Sequence, residues 1–273
     1  MSRKPIALQL YSLREDASQD FVGVLECVAD LGYQGVEFAG YGGLTARELK
    51  SRLDTFGLLP VGAHVGFDAL TNDLDQQIAF NQEIGNSRLV CPSPSLESND
   101  RQGWVRFAQK MNTIGEKVSA HGMQLGYHNH SMEFTRYNDE YALNIFFAET
   151  NPKLVFAELD LGWVYQGKVD PVTYMQQYAN RCPLVHIKDF LSSGDQVEVG
   201  TGDVDLAGIV RTSDSVGVEW FIIETEKYTM APIDSVRVGL ENLKRVINSI
   251  CHSPKSAHEV SHSLQELGRR DRI

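Results

Sequence analysis

Short apolar runs alternate with stretches whose apolar positions recur every three or four residues, from one end of the chain to the other. The runs are 6–11 (IALQLY), 35–39 (GVEFA), 59–65 (LPVGAHV), 87–92 (SRLVCP), 123–130 (MQLGYHNH), 154–161 (LVFAELDL), 183–190 (PLVHIKDF) and 219–226 (EWFIIETE). Each has the length and bounding polar residues of a buried strand. Between them, Phe21, Val24, Leu25, Val28 and Leu31 mark a helix that Gly32 ends. Thr45 is placed as the N-cap of a helix through Phe56. Further helices are predicted over 72–84, 101–120, 138–149, 171–180 and 235–250, with His121-Gly122 closing the long one and Pro171 in a first turn.

Eight strands in regular alternation with helices imply parallel strands joined by crossover helices. That number favours one closed α/β barrel of the (β/α)8 type over an open doubly wound sheet. The loops after the strands then share one face, where barrels keep their chemistry. The barrel domain is expected over 1–250. Residues 251–273 form a C-terminal tail outside the repeat, read as a short helix or a loose end.

Size and charge narrow the function. The 273 residues suit one barrel, and 42 % hydrophobic with 22 % charged residues is the balance of a globular protein. No apolar stretch is long enough to span a bilayer, and the N-terminus lacks a signal-peptide core, so a cytoplasmic protein without a membrane role is expected. A formal net charge of −11 disfavours nucleic acid as a partner. Cys27, Cys91, Cys182 and Cys251 form no CxxC pair and read as reduced, packed thiols.

The chemistry collects where strands run out. Glu133, Asp160, His186 and Glu224 each follow a different apolar run. A barrel brings such ends to one rim, and oxygen ligands with one imidazole suit Mn²⁺, Mg²⁺, Co²⁺ or Zn²⁺. Glu133 lies three residues past YHNH and must fold back to join; His128, nearer the strand end, is its rival. His64 ends the third strand and is a candidate for a substrate oxygen or a proton shuttle. His128 and His130 share one side of the fifth strand. Lys188 shares a face with His186, two residues away, where an ammonium can stabilise an enolate. Glu37 and Gln9 are placed to orient sugar hydroxyls, and Trp163 and Phe67 to wall the pocket. Gly200-Thr201-Gly202 is either a phosphate-binding loop or a plain turn, and no dinucleotide or P-loop motif is present.

Taken in order, LQLYSLR, LGYQGVEFAG, GAHV, GYHNHSMEF, ELDLGWVYQGKVDP, PLVHIKDF, EVGTGDVD and EWFIIETE resemble the sugar phosphate isomerase/epimerase group of xylose isomerase-like barrels across nearly the whole chain. The resemblance implies a divalent cation, often Mn²⁺, held by two Glu, one Asp and one His, which map to Glu133, Glu224, Asp160 and His186. At the fifth strand this chain departs from the pattern. His128 stands where studied epimerases place a metal Glu. Homo-oligomers are common among such barrels. The resemblance further implies an isomerase or epimerase acting on a keto-sugar or related polyol ketone in carbohydrate metabolism. Glu133 or Glu224 would take a proton beside a cation-gripped carbonyl, giving an enediolate, and His128 or a Glu would return it. The alternative is a lyase or dehydratase acting on an inosose or keto-glycoside.

Overall fold

The computed structural model describes residues 3–251. Its centre is a closed barrel of eight strands: β1 (Ile6–Gln9), β2 (Gly35–Phe38), β3 (Leu59–His64), β4 (Arg88–Cys91), β5 (Gln124–His128), β6 (Val155–Asp160), β7 (Leu184–Ile187) and β8 (Trp220–Ile223). Neighbours in sequence are neighbours in space. Every pairing is parallel, and β1 closes on β8 through Ile6↔Phe221 and Leu8↔Ile223. The expected single (β/α)8 barrel is therefore the fold. The expected tail lies outside the described residues, apart from Cys251, which ends the last helix (Pro232–Cys251).

Alternation along each strand sorts the side chains into two cores. Outward residues such as Leu8, Val36, Leu125, Leu159, Val185 and Phe221 pack under the helices. Inward residues Ala7, Val61, Val90, Phe156, Leu184 and Ile222 form a separate apolar plug at the barrel's base. Phe156, the aromatic ring of that plug, has room because β5 offers Gly126 opposite it; a Cβ there would lie 2.4 Å from the ring. Losing such a ring typically costs about 3–5 kcal/mol. One step further along the same inward faces the residues turn polar, and the polar layer sits directly on the plug.

The helix starts follow their caps. Thr45 accepts from Glu48 N (3.3 Å) while Glu48 Oε2 accepts from Thr45 N (2.9 Å), opening Ala46–Phe56; Gly57 ends it at φ 69°. Asp100 caps Arg101–Ala120 through Gly103 N (2.7 Å). The expected strands draw in at their ends by one to three residues, the helix expected over 171–180 ends at Gln176, and three further expectations shift. The helix expected over 138–149 begins at Ala142, because Asn138 and Asp139 take positive φ (50° and 65°) and turn a small hairpin, Arg136–Tyr137 with Glu140–Tyr141. The strand expected to reach 161 ends at Asp160, whose carboxylate caps a new helix, Leu161–Gln166, through Trp163 N (2.8 Å). Residues 72–84 belong to two helices, Phe67–Asn72 and Leu74–Ile84. No helix among the described residues is long and apolar enough to cross a membrane.

Candidate active site

Above the plug, the inward positions read as pairs two residues apart: His128 and His130 on β5 and its loop, Glu158 and Asp160 on β6, His186 and Lys188 after β7, Glu224 and Glu226 after β8. Registers set them side by side, with His128 against Glu158 and Asp160 against His186. His128, Glu158, Asp160, His186, Lys188 and Glu224 are all buried, an arrangement tolerable only because opposite charges meet there.

Two groups of potential ligand atoms gather within 4.8 Å: His128, Asp160, His186 and Glu224, and, sharing both histidines, His64, His128, Glu158 and His186. In the first, Asp160 Oδ2 lies 3.8 Å from His128 Nε2 and 3.9 Å from His186 Nδ1, and His186 Nδ1 lies 2.8 Å from Glu224 Oε2. The far nitrogens of both rings are taken by carboxylates: His186 Nε2 meets Glu37 Oε2 at 2.7 Å, and His128 Nδ1 meets Glu158 Oε1 at 3.2 Å. Carboxylates behind imidazoles are the usual support of metal-ligating histidines, fixing the ring and its tautomer. Both groups are also tied by internal contacts, His186 Nδ1 to Glu224 Oε2 in the first and His64 Nε2 to Glu158 Oε1 in the second, each at 2.8 Å.

Three buried carboxylate oxygens, Glu37 Oε1, Glu158 Oε2 and Asp160 Oδ2, have no hydrogen-bond partner. Lys188 Nζ is 3.0 Å from Asp160 Oδ2, within ion-pair range but outside hydrogen-bond geometry. A buried carboxylate oxygen without a donor is costly unless a cation meets it. With two imidazoles and two carboxylates converging, the residues fit a borderline or hard divalent ion.

Charge is distributed unevenly. Burial raises Asp160 to about 6. Burial also works against Glu224, but Lys188 and His186 outweigh it and hold the carboxyl below its ordinary range. Burial opposes protonation of His64, yet Glu37 and Glu158 lift it to about 10. His128 is pushed well down by burial and by His186 and His64, and His130 falls to about 4 through burial and Lys188. Burial likewise opposes the Lys188 charge, but Asp160, Glu224 and Glu226 secure it.

A cavity of ≈ 410 Å³ opens over the cluster, with Tyr11, His64, His128, His130, Glu224 and Glu226 in its lining. The expected residues Asp160, His186 and Glu224 thus meet. Glu133 lies outside both groups. A short 3-10 turn, Met132–Phe134, carries it to the outer side of β5, where Tyr127 Oη donates to Oε1 (2.8 Å) and His130 N donates to Oε2 (2.9 Å). The fifth-strand residue within ligand range is His128.

Glu37, expected to orient a sugar, is instead buried under the cup against His186, His64 and Gln9, whose Nε2 donates to Oε2 (2.8 Å). Gly62 permits this: a Cβ there would lie 2.5 Å from Glu37 Oε1. Trp163 stands beside His130 (ring centroids 6.0 Å) and under Lys188 Nζ (5.0 Å). Phe67 packs against Phe107 at 5.4 Å.

One contributor to the cluster went unnoticed in the sequence. Glu158 was legible as the same-face partner of Asp160 in ELD. Asn129 points the other way from His128 and stitches β5 to β6, its Oδ1 accepting from Asp160 N (3.0 Å) and its Nδ2 donating to Asp160 O (3.3 Å). The Gly200-Thr201-Gly202 loop is a turn around Asp189, whose Oδ2 accepts from Gly200 N (2.8 Å) and Gly202 N (2.9 Å).

The family model described as xylose isomerase-like TIM barrel matches residues 25–246. The chain belongs to that family. Among solved structures, a sugar phosphate isomerase/epimerase from Parabacteroides distasonis superposes with a TM-score of 0.76 at 25 % identity, covering 90 % of this chain and 96 % of that one. An inosose dehydratase of Clostridium beijerinckii is 24 % identical over 147 residues, 47 % of this chain and 49 % of its own length. Another from Geobacillus kaustophilus is 23 % identical over 189 residues, 61 % of each chain. The chain spans about half to three-fifths of the length of these two dehydratases. Within the xylose isomerase-like family, its neighbours thus include both isomerase/epimerase and dehydratase names.

Proposed function

We propose that this xylose isomerase-like protein is a divalent-metal-dependent enzyme that moves a proton at the carbon beside the carbonyl of a keto-sugar or related polyol ketone, as an isomerase or epimerase. The observation that carries the reading is the convergence of His128, Asp160, His186 and Glu224 under an open cavity, with each imidazole backed by a carboxylate. These four residues would hold the cation, which when bound supplies a Lewis acid for a carbonyl oxygen. Mn²⁺ is the first choice, with Mg²⁺, Co²⁺ and Zn²⁺ compatible with the same donors.

The chain's own groups supply the rest. Glu224 lines the cavity and is kept ionised by the Lys188 ammonium, so it is the carboxylate placed to take the proton. The Lys188 ammonium, 3.0 Å from Glu224 Oε2, adds positive potential where negative charge develops on a substrate oxygen. His64, held protonated and lining the cavity, is placed to return a proton; His130 lines the cavity too, with Trp163 packed behind it rather than in the lining. Glu133 holds the His130 backbone and so shapes that lining, acting as a positioning residue rather than a base.

A second reading, dehydration or lysis of an inosose or keto-glycoside, starts with the same proton removal and is favoured by the inosose dehydratase relatives. Proton NMR of a keto-sugar and inosose panel in D₂O with Mn²⁺ present, the ion removed before spectra are recorded, tests both. Solvent deuterium in an intact sugar supports isomerase chemistry, and an eliminated hydroxyl or aglycone supports the lyase. Neither outcome across the panel sinks the proposal.

A further inference from the structure

We infer that the cavity accepts an uncharged keto-polyol and turns away its phosphate esters. The inference rests on the reading that this cavity is the reaction site, and it concerns what the mouth of the cavity tolerates.

The loop after β7 is one place where barrels cradle phosphate on backbone amides. Here those amides face the protein's own carboxylate. Asp189 Oδ2 accepts from Gly200 and Gly202 N, and Oδ1 accepts from Val204 N (3.1 Å) and Phe190 N (3.0 Å). The loop is closed tightly on it: a Cβ at Gly202 would lie 2.3 Å from Asp189 Oδ1. A phosphate could reach these donors only by expelling a buried, four-fold hydrogen-bonded carboxylate.

Two carboxylates, Glu224 and Glu226, line the mouth. The nearby cations are committed to the wall: His64 Nε2 lies 2.8 Å from Glu158 Oε1 and 3.2 Å from Glu37 Oε2. Lys188 Nζ contacts Asp160 and Glu224 at 3.0 Å each and also pairs with Glu226. Arg14 donates Nη1 to Tyr11 O (3.1 Å) and Tyr228 Oη (2.9 Å), and Nη2 to Glu226 O (3.1 Å). In a ketose phosphate the ester lies several carbons from the carbonyl. A carbonyl held at the floor therefore leaves the phosphate dianion nearer the mouth, where Glu226 lines the wall and like charges repel in a partly desolvated cleft.

Calorimetric titration of the protein in excess Mn²⁺ tests this with matched pairs, D-fructose against D-fructose 6-phosphate and D-ribulose against D-ribulose 5-phosphate, with scyllo-inosose as a cyclic neutral probe. The expected result is at least tenfold tighter binding of a neutral member than of its phosphate partner, and a gap at least threefold smaller in Glu226→Gln. Equal or tighter binding of the phosphate esters overturns the inference, as does failure of every neutral compound to bind. An unchanged gap in Glu226→Gln overturns the role given to that carboxylate. Neutral sugars that bind but neither exchange deuterium nor eliminate leave the inference standing and sink the proposed reaction.

Discussion

His186 Nε2 meets Glu37 Oε2 at 2.7 Å, and this contact leaves Nδ1 as the nitrogen that faces Asp160 and Glu224. Glu37 is in turn held by Gln9, and glycine at 62 leaves room for its carboxylate in this position. Carboxylates in this position typically contribute 10- to 100-fold to metal affinity. Glu37→Gln should therefore weaken Mn²⁺ binding by about that factor while the barrel stays folded. Gly62→Ala should act in the same direction by displacing the Glu37 side chain. Unchanged affinity in both variants, measured by calorimetry, would remove Glu37 from the centre.

Asp160 uses one oxygen as a helix cap and leaves the other for the cluster. Asn is as good a cap as Asp, so Asp160→Asn is expected to keep the Leu161–Gln166 helix and lose the anionic ligand. Metal binding and turnover should fall together, by at least a hundredfold, with circular dichroism unchanged. A variant that binds metal normally yet loses turnover would make Asp160 a substrate group instead.

Glu133 gives a pH signature in stability. Burial raises its carboxyl from 4.5 to about 7. The folded form therefore binds the proton more tightly than the unfolded one. The resulting stabilisation is full below about pH 4.5 and is lost as pH rises through 7. One pKa unit is about 1.4 kcal/mol, so Glu133→Gln should gain roughly 2–3 kcal/mol relative to the parent between pH 5 and pH 8. Gln can keep both contacts, accepting from His130 N and donating to Tyr127 Oη. Urea unfolding across that range checks it, and parallel stability curves for the two proteins would contradict it.

Asp189 is expected to be structural. Asn at that position turns an NH₂ group toward two of four backbone donors. Leaving buried donors unmatched costs about 1–3 kcal/mol each, so Asp189→Asn should lose roughly 2–6 kcal/mol in chemical denaturation. A loss below about 1 kcal/mol would mean that the loop after β7 is held by other contacts.

The barrel was legible because its two periodicities are clean. Apolar runs such as Val155–Asp160 are too short for helices, and the stretches between them repeat every three or four residues. Three candidate ligands, Asp160, His186 and Glu224, were legible because a parallel barrel sends every strand end to one face. Alternation says which side of a strand a residue takes, but it stops at the strand's end. Glu133 lies beyond that end, and the turn at Met132–Phe134 carries it outward to Tyr127, a partner six residues away that no pattern names. Glu158 was hidden for the opposite reason. It sits one step inside the strand, where a charged residue in an apolar run reads as part of a motif, and its purpose appears only when His64 and His128 are seen against it. Asn138-Asp139 carried a turn signal that the helical period around it obscured.

The decisive measurement is a Mn²⁺ titration of the metal-stripped protein beside His128→Gln and Glu133→Gln. One ion per chain, lost or weakened at least a hundredfold in His128→Gln and kept within about threefold in Glu133→Gln, is the expected result. No binding to the parent protein, or a loss confined to Glu133→Gln, would contradict a centre built from residues 128, 160, 186 and 224.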